Sequence, residues 1–215
     1  MDYFDHLKTG LYSAVISDVL DQQGYNRQCV RIPFRAYTGL PNLVGRCRTT
    51  LWADVYDQDT NPYEEELRAV DACQPGDILI CAAGGSTRSA IWGELLATAA
   101  RNQGCLGTIV HGAVRDIGKM REMQFPVLAT ASNPYDSQNR QRVIERDTRV
   151  DIDGVIIAPG DLVFADEDGI VFIPSAVETQ TIRAAFEKVN AENITRDAIR
   201  AGMKASDAYQ TYGIL

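Results

Sequence analysis

Apolar positions along the chain predict a strand–helix–strand unit within residues 77–116. Residues 77–83 are almost wholly apolar, as in a strand that is buried on both faces. Residues 108–110 have the same character, and a small-residue loop at residues 84–87 follows the first strand. Apolar residues at helical spacing lie between the strands, at Trp92, Leu95, Leu96, Ala99 and Ala100. Two parallel strands joined by a helix that ends near Gly104 are therefore expected.

The remaining patterns alternate between helix and strand. Residues 9–23 predict a helix, Asn61 and Pro62 open another, and Ser175 with Glu178 forms a capping box for a third. Strands are predicted at residues 46–55, 125–129, 148–152, 155–158, 162–165 and 170–173. Residues 132–146 are polar without periodicity and predict a long surface loop, and the tail from residue 192 is polar with scattered apolar residues. We predict one α/β domain over residues 1–215, with its core at about 43–174 and helical extensions at both termini.

Composition and charge argue against a nucleic-acid-binding, membrane-spanning or secreted protein. The 215 residues carry a net charge of −8, which argues against a nucleic-acid surface. No apolar run approaches the length of a membrane span, and the first residues lack a signal-peptide pattern. Five scattered cysteines without a C-x-x-C pair favour a reducing compartment. We expect a soluble cytoplasmic protein that binds neither nucleic acid nor membrane.

Arg115 and Asp116 are the strongest candidates for chemistry. They follow the second predicted strand and Gly112, at the end of a parallel sheet where α/β proteins bind ligands. The arginine offers a planar fork for a carboxylate, and the aspartate offers a hard oxygen ligand for a Mg²⁺-type ion. Glu94 could add a second carboxylate. The alternative interpretations are a surface ion pair and, for Glu94, a residue that favours the helix dipole.

Other candidates have plainer interpretations. Three adjacent glutamates at residues 64–66 could suggest a metal site, but a charged first helical turn is the commoner explanation. His111 fits a residue at a strand end better than a catalytic base. Gly84 and Gly85 before a helix could hold an anion, yet the spacing of a dinucleotide-binding loop is missing.

Several motifs together resemble the 4-hydroxy-4-methyl-2-oxoglutarate aldolase family, which shares its fold with the regulator of ribonuclease activity A. The matching segments are Gly84-Gly85-Ser86-Thr87-Arg88, Trp92-Gly93-Glu94-Leu95-Leu96, Gly112-Ala113-Val114-Arg115-Asp116, Pro159-Gly160-Asp161 and Ala165-Asp166-Glu167-Asp168-Gly169. The resemblance covers most of residues 75–174. It implies a β/β/α sandwich of the swivelling-domain type, assembled as a homotrimer or hexamer with sites between subunits.

The resemblance also implies site residues and a cofactor. Asp116 would bind Mg²⁺ or Mn²⁺, and Arg115 would hold the keto oxygen and carboxylate of a 2-oxo acid. Backbone amides of Gly93, Glu94, Leu95 and Leu96 would bind the pyruvate carboxylate, and Glu94 would position a metal-bound water. A glutamate from a neighbouring subunit also belongs to the family site, with Glu192 as the best match in this chain.

The implied activity is a divalent-metal-dependent class II pyruvate aldolase that also decarboxylates oxaloacetate. Both reactions generate the enolate of pyruvate, which a divalent cation and Arg115 would stabilise. The chain departs from the family at His111, where the aldolases often carry aspartate, and this leaves the substrate open. A non-catalytic ribonuclease-binding regulator is the main alternative, but the regulator lacks an acidic residue after Gly-Ala-Val-Arg. A lyase for another 2-oxo or sugar acid is the third hypothesis.

Overall fold

A computed structural model describes residues 2–214. Its helices are α1 (Tyr3–Gly10), α2 (Ser13–Gln22), α3 (Glu64–Asp71), α4 (Glu94–Asn102), α5 (Ile117–Glu122), α6 (Glu178–Arg200) and α7 (Ala205–Tyr212). Its strands are β1 (Arg35–Ala36), β2 (Leu43–Asp54), β3 (Asp77–Ala82), β4 (Ala90–Trp92), β5 (Gly107–Val114), β6 (Val127–Ser132), β7 (Gln141–Arg146), β8 (Val150–Ile152), β9 (Val155–Ile157), β10 (Leu162–Ala165) and β11 (Ile170–Ile173).

The main sheet has the order β1-β6-β5-β3-β2-β10-β11, with β4 paired to β5 and β7 paired to β2. Its centre is parallel, since β2 pairs with β3, β3 with β5, and β5 with β6 in the same direction. The strands β1, β7, β10 and β11 join it in antiparallel pairs. A separate hairpin of β8 and β9 makes a second sheet. The expected mixed α/β class is confirmed.

Strand β3 is buried on both faces, as its continuous apolar run predicts. Leu79 and Cys81 pack with apolar residues of α3, α4 and α5. Ile78 and Ile80, which point the other way, pack with the β8–β9 hairpin and the inner faces of β10 and β11. Because side chains alternate across a strand, these two groups of buried side chains lie on opposite faces of β3. One group lies between the sheet and the helices, and the other lies between the sheet and the β-strands that pack against it.

The terminal helices cover the outer face of β10 and β11. Leu162 and Phe164 of β10 pack with apolar residues of α1, α2 and α6, whereas Val163 and Ala165 face the inner core. Glu178 fastens α6 to the sheet, because it accepts hydrogen bonds from the guanidinium of Arg46 on β2 and from the hydroxyl of Tyr3 on α1. No helix within residues 2–214 has both the length and the apolar character that crossing a membrane requires.

Three predictions of local secondary structure were wrong. Trp92 lies in β4 rather than in a helix; α4 begins at Glu94 and buries Ala97 and Ala100, while Leu95 is 78% exposed. Residues 141–146 form strand β7 instead of a loop, with Val143 turned into the core. The predicted helix at residues 9–23 is two helices that meet at Leu11 and Tyr12.

The predicted capping box at Ser175 is also wrong. Helix α6 begins at Glu178 without a side-chain cap, because the Glu178 carboxylate binds Arg46 and Tyr3. The polar tail after residue 192 is largely helical, since α6 runs to Arg200 and α7 follows it.

Candidate functional site

The site begins where two neighbouring parallel strands end. Trp92, the last residue of β4, pairs with Val114, the last residue of β5. The amide N–H of Arg115 donates to the carbonyl of Trp92 at 2.9 Å. The chain segments that follow, Gly93 after β4 and Arg115 after β5, therefore run side by side at the carboxyl ends of the strands.

Asp116 adopts a left-handed backbone conformation, with φ of 56°. A non-glycine residue in this region is uncommon, although aspartate tolerates it better than most. The residue precedes α5, but its side chain does not cap that helix. Instead its Oδ2 accepts the backbone N–H of Glu94 at 3.3 Å. The unusual conformation thus directs the carboxylate towards the start of α4.

Gly93 is the close neighbour of that carboxylate. A Cβ atom built on Gly93 would lie 2.6 Å from Asp116 Oδ2 and 3.2 Å from Arg115 Cγ. Only a residue without a side chain fits between the helix start and the two functional side chains. Gly93, the N-cap of α4, has no side chain to cap that helix, and Asp116 accepts the N–H of Glu94. The first-turn N–H groups of Leu95 and Leu96 therefore remain available for an anion.

Arg115 is held by a third segment, the loop between β6 and β7. Its Nη2 lies 2.6 Å from Asp136 Oδ2, and its Nε lies 3.6 Å from Asp116 Oδ2. The other oxygen of Asp136 accepts the hydroxyl of Tyr63 at 2.7 Å and the N–H of Gln138 at 2.8 Å. Burial pushes the pKa of Asp136 upwards, but these hydrogen bonds and the arginine charge outweigh it and lower the pKa overall. Burial and the bond to Asp136 raise the pKa of Tyr63 to about 12.

These groups border a cleft of about 350 Å³. It is lined by Tyr63, Glu66, Leu67, Ala90, Ile91, Trp92, Gly93, Leu95, Leu96, Arg115, Asp116, Asp136 and Ser137. Glu66 of α3 is only 7% exposed, and its Oε2 is enclosed without a hydrogen-bond partner among the described residues. Burial, assisted by the negative charge of Asp136, raises the pKa of Glu66 to about 8. This carboxyl group is therefore mostly protonated at neutral pH.

The structure brings most of the candidate residues to one cleft. Arg115, Asp116, Gly93, Leu95 and Leu96 line it. Glu94 contributes its backbone N–H to Asp116, whereas its carboxylate accepts the hydroxyl of Thr98 at 2.9 Å.

Two further candidates lie elsewhere. Glu192 lies on α6, where it accepts the hydroxyl of Tyr12 and pairs with Arg196; its role at a neighbour's site stays a prediction. His111 is half-buried on β5 near Phe34 and is not among the residues that line the cleft. Burial lowers its pKa.

Sequence reasoning missed Tyr63, Glu66 and Asp136. Glu66 was attributed to a charged helical turn, yet it shares the spacing of the buried residues Ala69 and Val70 at i+3 and i+4. That pattern places a carboxyl group on the core face of α3 and was readable in the sequence. Tyr63 and Asp136 carry no such signal, because their pairing depends on the approach of two distant segments.

The donor set is compatible with a Mg²⁺-type ion. Within residues 2–214 no group of three or more histidine, cysteine, aspartate or glutamate side chains is arranged around a common metal position. Magnesium commonly takes only one or two protein carboxylates and completes its shell with water and substrate oxygens, whereas zinc sites require three or four protein ligands. The half-exposed Asp116 carboxylate at the mouth of a polar cleft fits the first pattern.

Comparison with known proteins places the chain in a family. The chain is similar to Protein DlpA of Legionella pneumophila subsp. pneumophila strain Philadelphia 1, with 26% identity over 200 residues that cover 93% of this chain and 32% of DlpA. It therefore spans about a third of the length of that relative.

Two solved structures are similar over most of the chain. An uncharacterized protein from Pseudomonas syringae pv. tomato str. DC3000 has a TM-score of 0.85 at 23% identity, covering 97% of this chain and 93% of that one. Streptomyces coelicolor RraAS2, described as an unusual member of the RNase ES inhibitor RraA protein family, has a TM-score of 0.79 at 28% identity, with coverages of 91% and 97%. The family model described as RraA-like, Aldolase/RraA, matches residues 13–172, and the chain belongs to that family.

Proposed function

We propose that this chain is a divalent-metal-dependent lyase that releases pyruvate from 4-hydroxy-2-oxo acids of the 4-hydroxy-4-methyl-2-oxoglutarate type and decarboxylates oxaloacetate. One observation carries the proposal. The Asp116 carboxylate, the Arg115 guanidinium and the free N–H groups of Leu95 and Leu96 at the start of α4 border one cleft. A 2-oxo acid presents a keto oxygen beside a carboxylate, and the three groups match those two features.

The proposed roles follow from the chemistry of each group. The N–H groups of Leu95 and Leu96 bind the substrate carboxylate, aided by the positive end of the helix dipole. Arg115 donates hydrogen bonds to the keto oxygen, where negative charge grows as a carbon–carbon bond breaks. Asp116 holds Mg²⁺ or Mn²⁺, which supplies Lewis acidity at the same oxygen when bound. No lysine Schiff base is required by this arrangement.

The test is pyruvate release from 4-hydroxy-4-methyl-2-oxoglutarate and from oxaloacetate, measured with Mg²⁺, with Mn²⁺ and with a chelator. The Asp116→Asn variant measures the background rate of pyruvate release, since free metal ions alone decarboxylate oxaloacetate. Turnover by the unaltered chain is expected to depend on metal. Asp116→Asn is expected to lower it by about two orders of magnitude or more, the effect of losing one main electrostatic contact in an active site.

Glu122→Gln is the matched control, because it removes an exposed carboxylate from α5, the helix that follows Asp116. It is expected to retain the activity of the unaltered chain. Turnover that no chelator reduces, or that Asp116→Asn retains, would overturn the proposal.

A second candidate function is a regulator that binds a ribonuclease. It is favoured by the likeness to RraAS2, whose description names an RNase ES inhibitor family. A ribonuclease inhibition assay with the purified chain separates the two functions, and Asp116→Asn should not change inhibition if the cleft chemistry plays no part in it.

A further inference from the structure

One carboxyl group that lines the cleft has no partner. Glu66 of α3 is 7% exposed and borders the same cavity as Arg115 and Asp116. Neither of its oxygens forms a hydrogen bond or an ion pair with another described residue, and its Oε2 is fully enclosed. Because buried polar groups in folded proteins are normally satisfied, an unpaired carboxyl group beside a cavity is suited to contact with a bound molecule.

Glu66 lies close to the charged groups of the cleft but does not bind them. Burial is the main cause of its raised pKa, the charge of Asp136 raises that pKa further, and the charge of Arg115 lowers it. Arg115 pairs instead with Asp136 at 2.6 Å and faces Asp116 at 3.6 Å. Since Glu66 and the guanidinium line one cleft and no bond joins them, a small ligand can contact both.

The other ionisable groups near Glu66 are uncharged or bind elsewhere. Burial raises the pKa of Cys81 to about 11, and burial with the bond to Asp136 raises that of Tyr63 to about 12, so both are neutral at pH 7. The charged residues of α3 and of the neighbouring α4 and β7 have other partners or face solvent: Arg68 binds Glu64 and Glu65, Glu94 binds Thr98, Arg101 binds the carbonyl of Met123, Arg142 binds Asp59, Arg146 binds Glu65, and Asp71 and Glu145 are exposed. With a pKa of about 8, the Glu66 carboxyl group holds a proton at neutral pH and can release it.

Within residues 2–214, no other group that lines the cleft offers a proton as readily. The hydroxyl of Tyr63 donates to Asp136 at 2.7 Å, and its raised pKa makes it a poor acid. Asp136 has a lowered pKa and is paired, so it is ionised. Asp116 is the proposed ligand of the divalent cation. Glu94 is not among the residues that line the cleft, and its carboxylate binds a hydroxyl of its own helix. Glu66 is therefore the candidate acid.

Both reactions of the proposed function need such an acid. Cleavage of a 4-hydroxy-2-oxo acid and decarboxylation of oxaloacetate both leave the enolate of pyruvate, which becomes pyruvate only when C3 gains a proton. C3 is bonded to the keto carbon, whose oxygen the proposed function places at Arg115. A proton donor for C3 must therefore border the same cavity as Arg115 without being paired to it, and Glu66 meets both conditions.

We propose that Glu66 is the acid that protonates C3 of the pyruvate enolate. The inference rests on the proposed function for the position of the keto group. In this step the electron pair of the enolate forms the C3–H bond, the O–H bond of Glu66 breaks, and the enolate oxygen regains its double bond to C2. Water then returns a proton to the Glu66 carboxylate. In aldol cleavage water also takes up the 4-hydroxyl proton, so no proton is consumed; in decarboxylation carbon dioxide leaves and one proton is taken from water.

The test is the exchange of the methyl hydrogens of pyruvate for deuterium, followed by proton NMR in D₂O with Mg²⁺. Exchange runs the proposed step in both directions, because the Glu66 carboxylate removes a proton from C3 and the acid returns a deuteron. It requires no carbon–carbon bond to break. The unaltered chain is expected to exchange these hydrogens faster than a solution of Mg²⁺ and buffer alone.

Glu66→Gln is expected to slow exchange by about a hundredfold or more, since general acid–base groups contribute at least that factor. Glu64→Gln, at an exposed position of the same helix, is the matched control and should keep exchange within about twofold of that of the unaltered chain. Calorimetry with pyruvate and Mg²⁺ is expected to give similar dissociation constants for the three chains, because the amide has the size of the carboxyl group. A loss of pyruvate binding that matches the loss of exchange would overturn the proposal.

A pH series adds a readout that a purely structural role would not change. Removal of a proton from C3 needs the ionised carboxylate, so exchange by the unaltered chain is expected to rise as the pH approaches the Glu66 pKa of about 8 and to level off above it. Glu66→Gln should show no such inflection. An inflection that persists in Glu66→Gln belongs to another group and would refute the assignment.

The outcomes separate the two proposals. If the chain releases pyruvate in a metal-dependent way but Glu66→Gln exchanges pyruvate hydrogens as fast as the unaltered chain, the inference is overturned and the proposed function stands. Pyruvate release without exchange above the metal-only rate has the same meaning. If the chain neither releases pyruvate nor exchanges its hydrogens, both proposals fall.

Discussion

Asp136 Oδ2 lies 2.6 Å from Arg115 Nη2, and this ion pair joins the loop after β6 to the end of β5. Tyr63 and the backbone of Gln138 fix the other oxygen of Asp136. The guanidinium is therefore held along one edge before any ligand arrives. An arginine that is oriented in advance loses less freedom on binding than one that must first be ordered.

Asp136→Asn is expected to lower kcat/KM for pyruvate release by about tenfold or more, because a small misplacement of a substrate-orienting group is costly. Tyr63→Phe removes only the support of Asp136 and should have a smaller effect in the same direction. Steady-state kinetics with separate kcat and KM values measure both.

Asp147→Asn is the control for Asp136→Asn, since it breaks a partly exposed pair with Arg48 that does not line the cleft. Each pair is expected to contribute up to about 1 kcal/mol to stability, so the two variants should have similar Tm values. Equal kinetics for Asp136→Asn and Asp147→Asn would contradict a positioning role.

Gly93→Ala is expected to abolish most of the activity. The added methyl group would lie 2.6 Å from Asp116 Oδ2, so either the carboxylate or the start of α4 must move. Gly118→Ala on α5 is the matched control, because nothing lies within 4 Å of its added carbon. It should retain activity and gain about 0.5–1 kcal/mol of helix stability. Kinetics and thermal unfolding of both variants provide the comparison.

Glu66 is expected to make stability depend on pH. Its pKa is about 8 in the folded chain and 4.5 for an unburied glutamate, so the folded state retains the proton over that interval while the unfolded state loses it. Unfolding free energy therefore falls as pH rises from about 4.5 to about 8 and levels off above. Burial of the carboxyl group is the cause.

Glu66→Gln removes this dependence, because the amide does not ionise. Its Tm relative to that of the unaltered chain is expected to rise between pH 5 and pH 9 by at least about 2–4 °C, the change that 1 kcal/mol produces in a chain of this size. Glu64→Gln, at an exposed position of the same helix, should show no such rise. Parallel pH profiles for the unaltered chain and Glu66→Gln would refute the assigned burial effect.

The centre of the fold was predictable because its residues are buried on both sides. The apolar run in β3 and the Asp-Gly turns at Asp153 and Asp168 describe their local structure without help from distant contacts. Strand β7 was not predicted because its pattern is irregular: the buried Gln141 is polar, Ile144 is exposed, and Val143 alone marks the core side. Trp92 was misplaced because a three-residue strand is too short to show a period of its own.

The candidate site likewise contains some residues that could be predicted from the sequence and some that could not. Arg115, Asp116 and Gly93 are adjacent to recognisable strand and helix ends, and the chain order alone indicates that they approach one another. The contact of Tyr63 with Asp136 spans 73 residues and depends on how two loops pack. The protonated state of Glu66 likewise arises only from the surroundings that the folded chain provides.

Two different parts of the fold line the cleft. The groups proposed for bond cleavage lie at the ends of β4 and β5, inside the main sheet, whereas Glu66 and Leu67 line the same cleft from α3. Helix α3 rests on the core through Ala69 and Val70 and presents Glu66 and Leu67 to the cleft. Mutation or engineering can therefore alter the lining of the cleft at two positions of one short helix without replacing any group at the ends of β4 and β5.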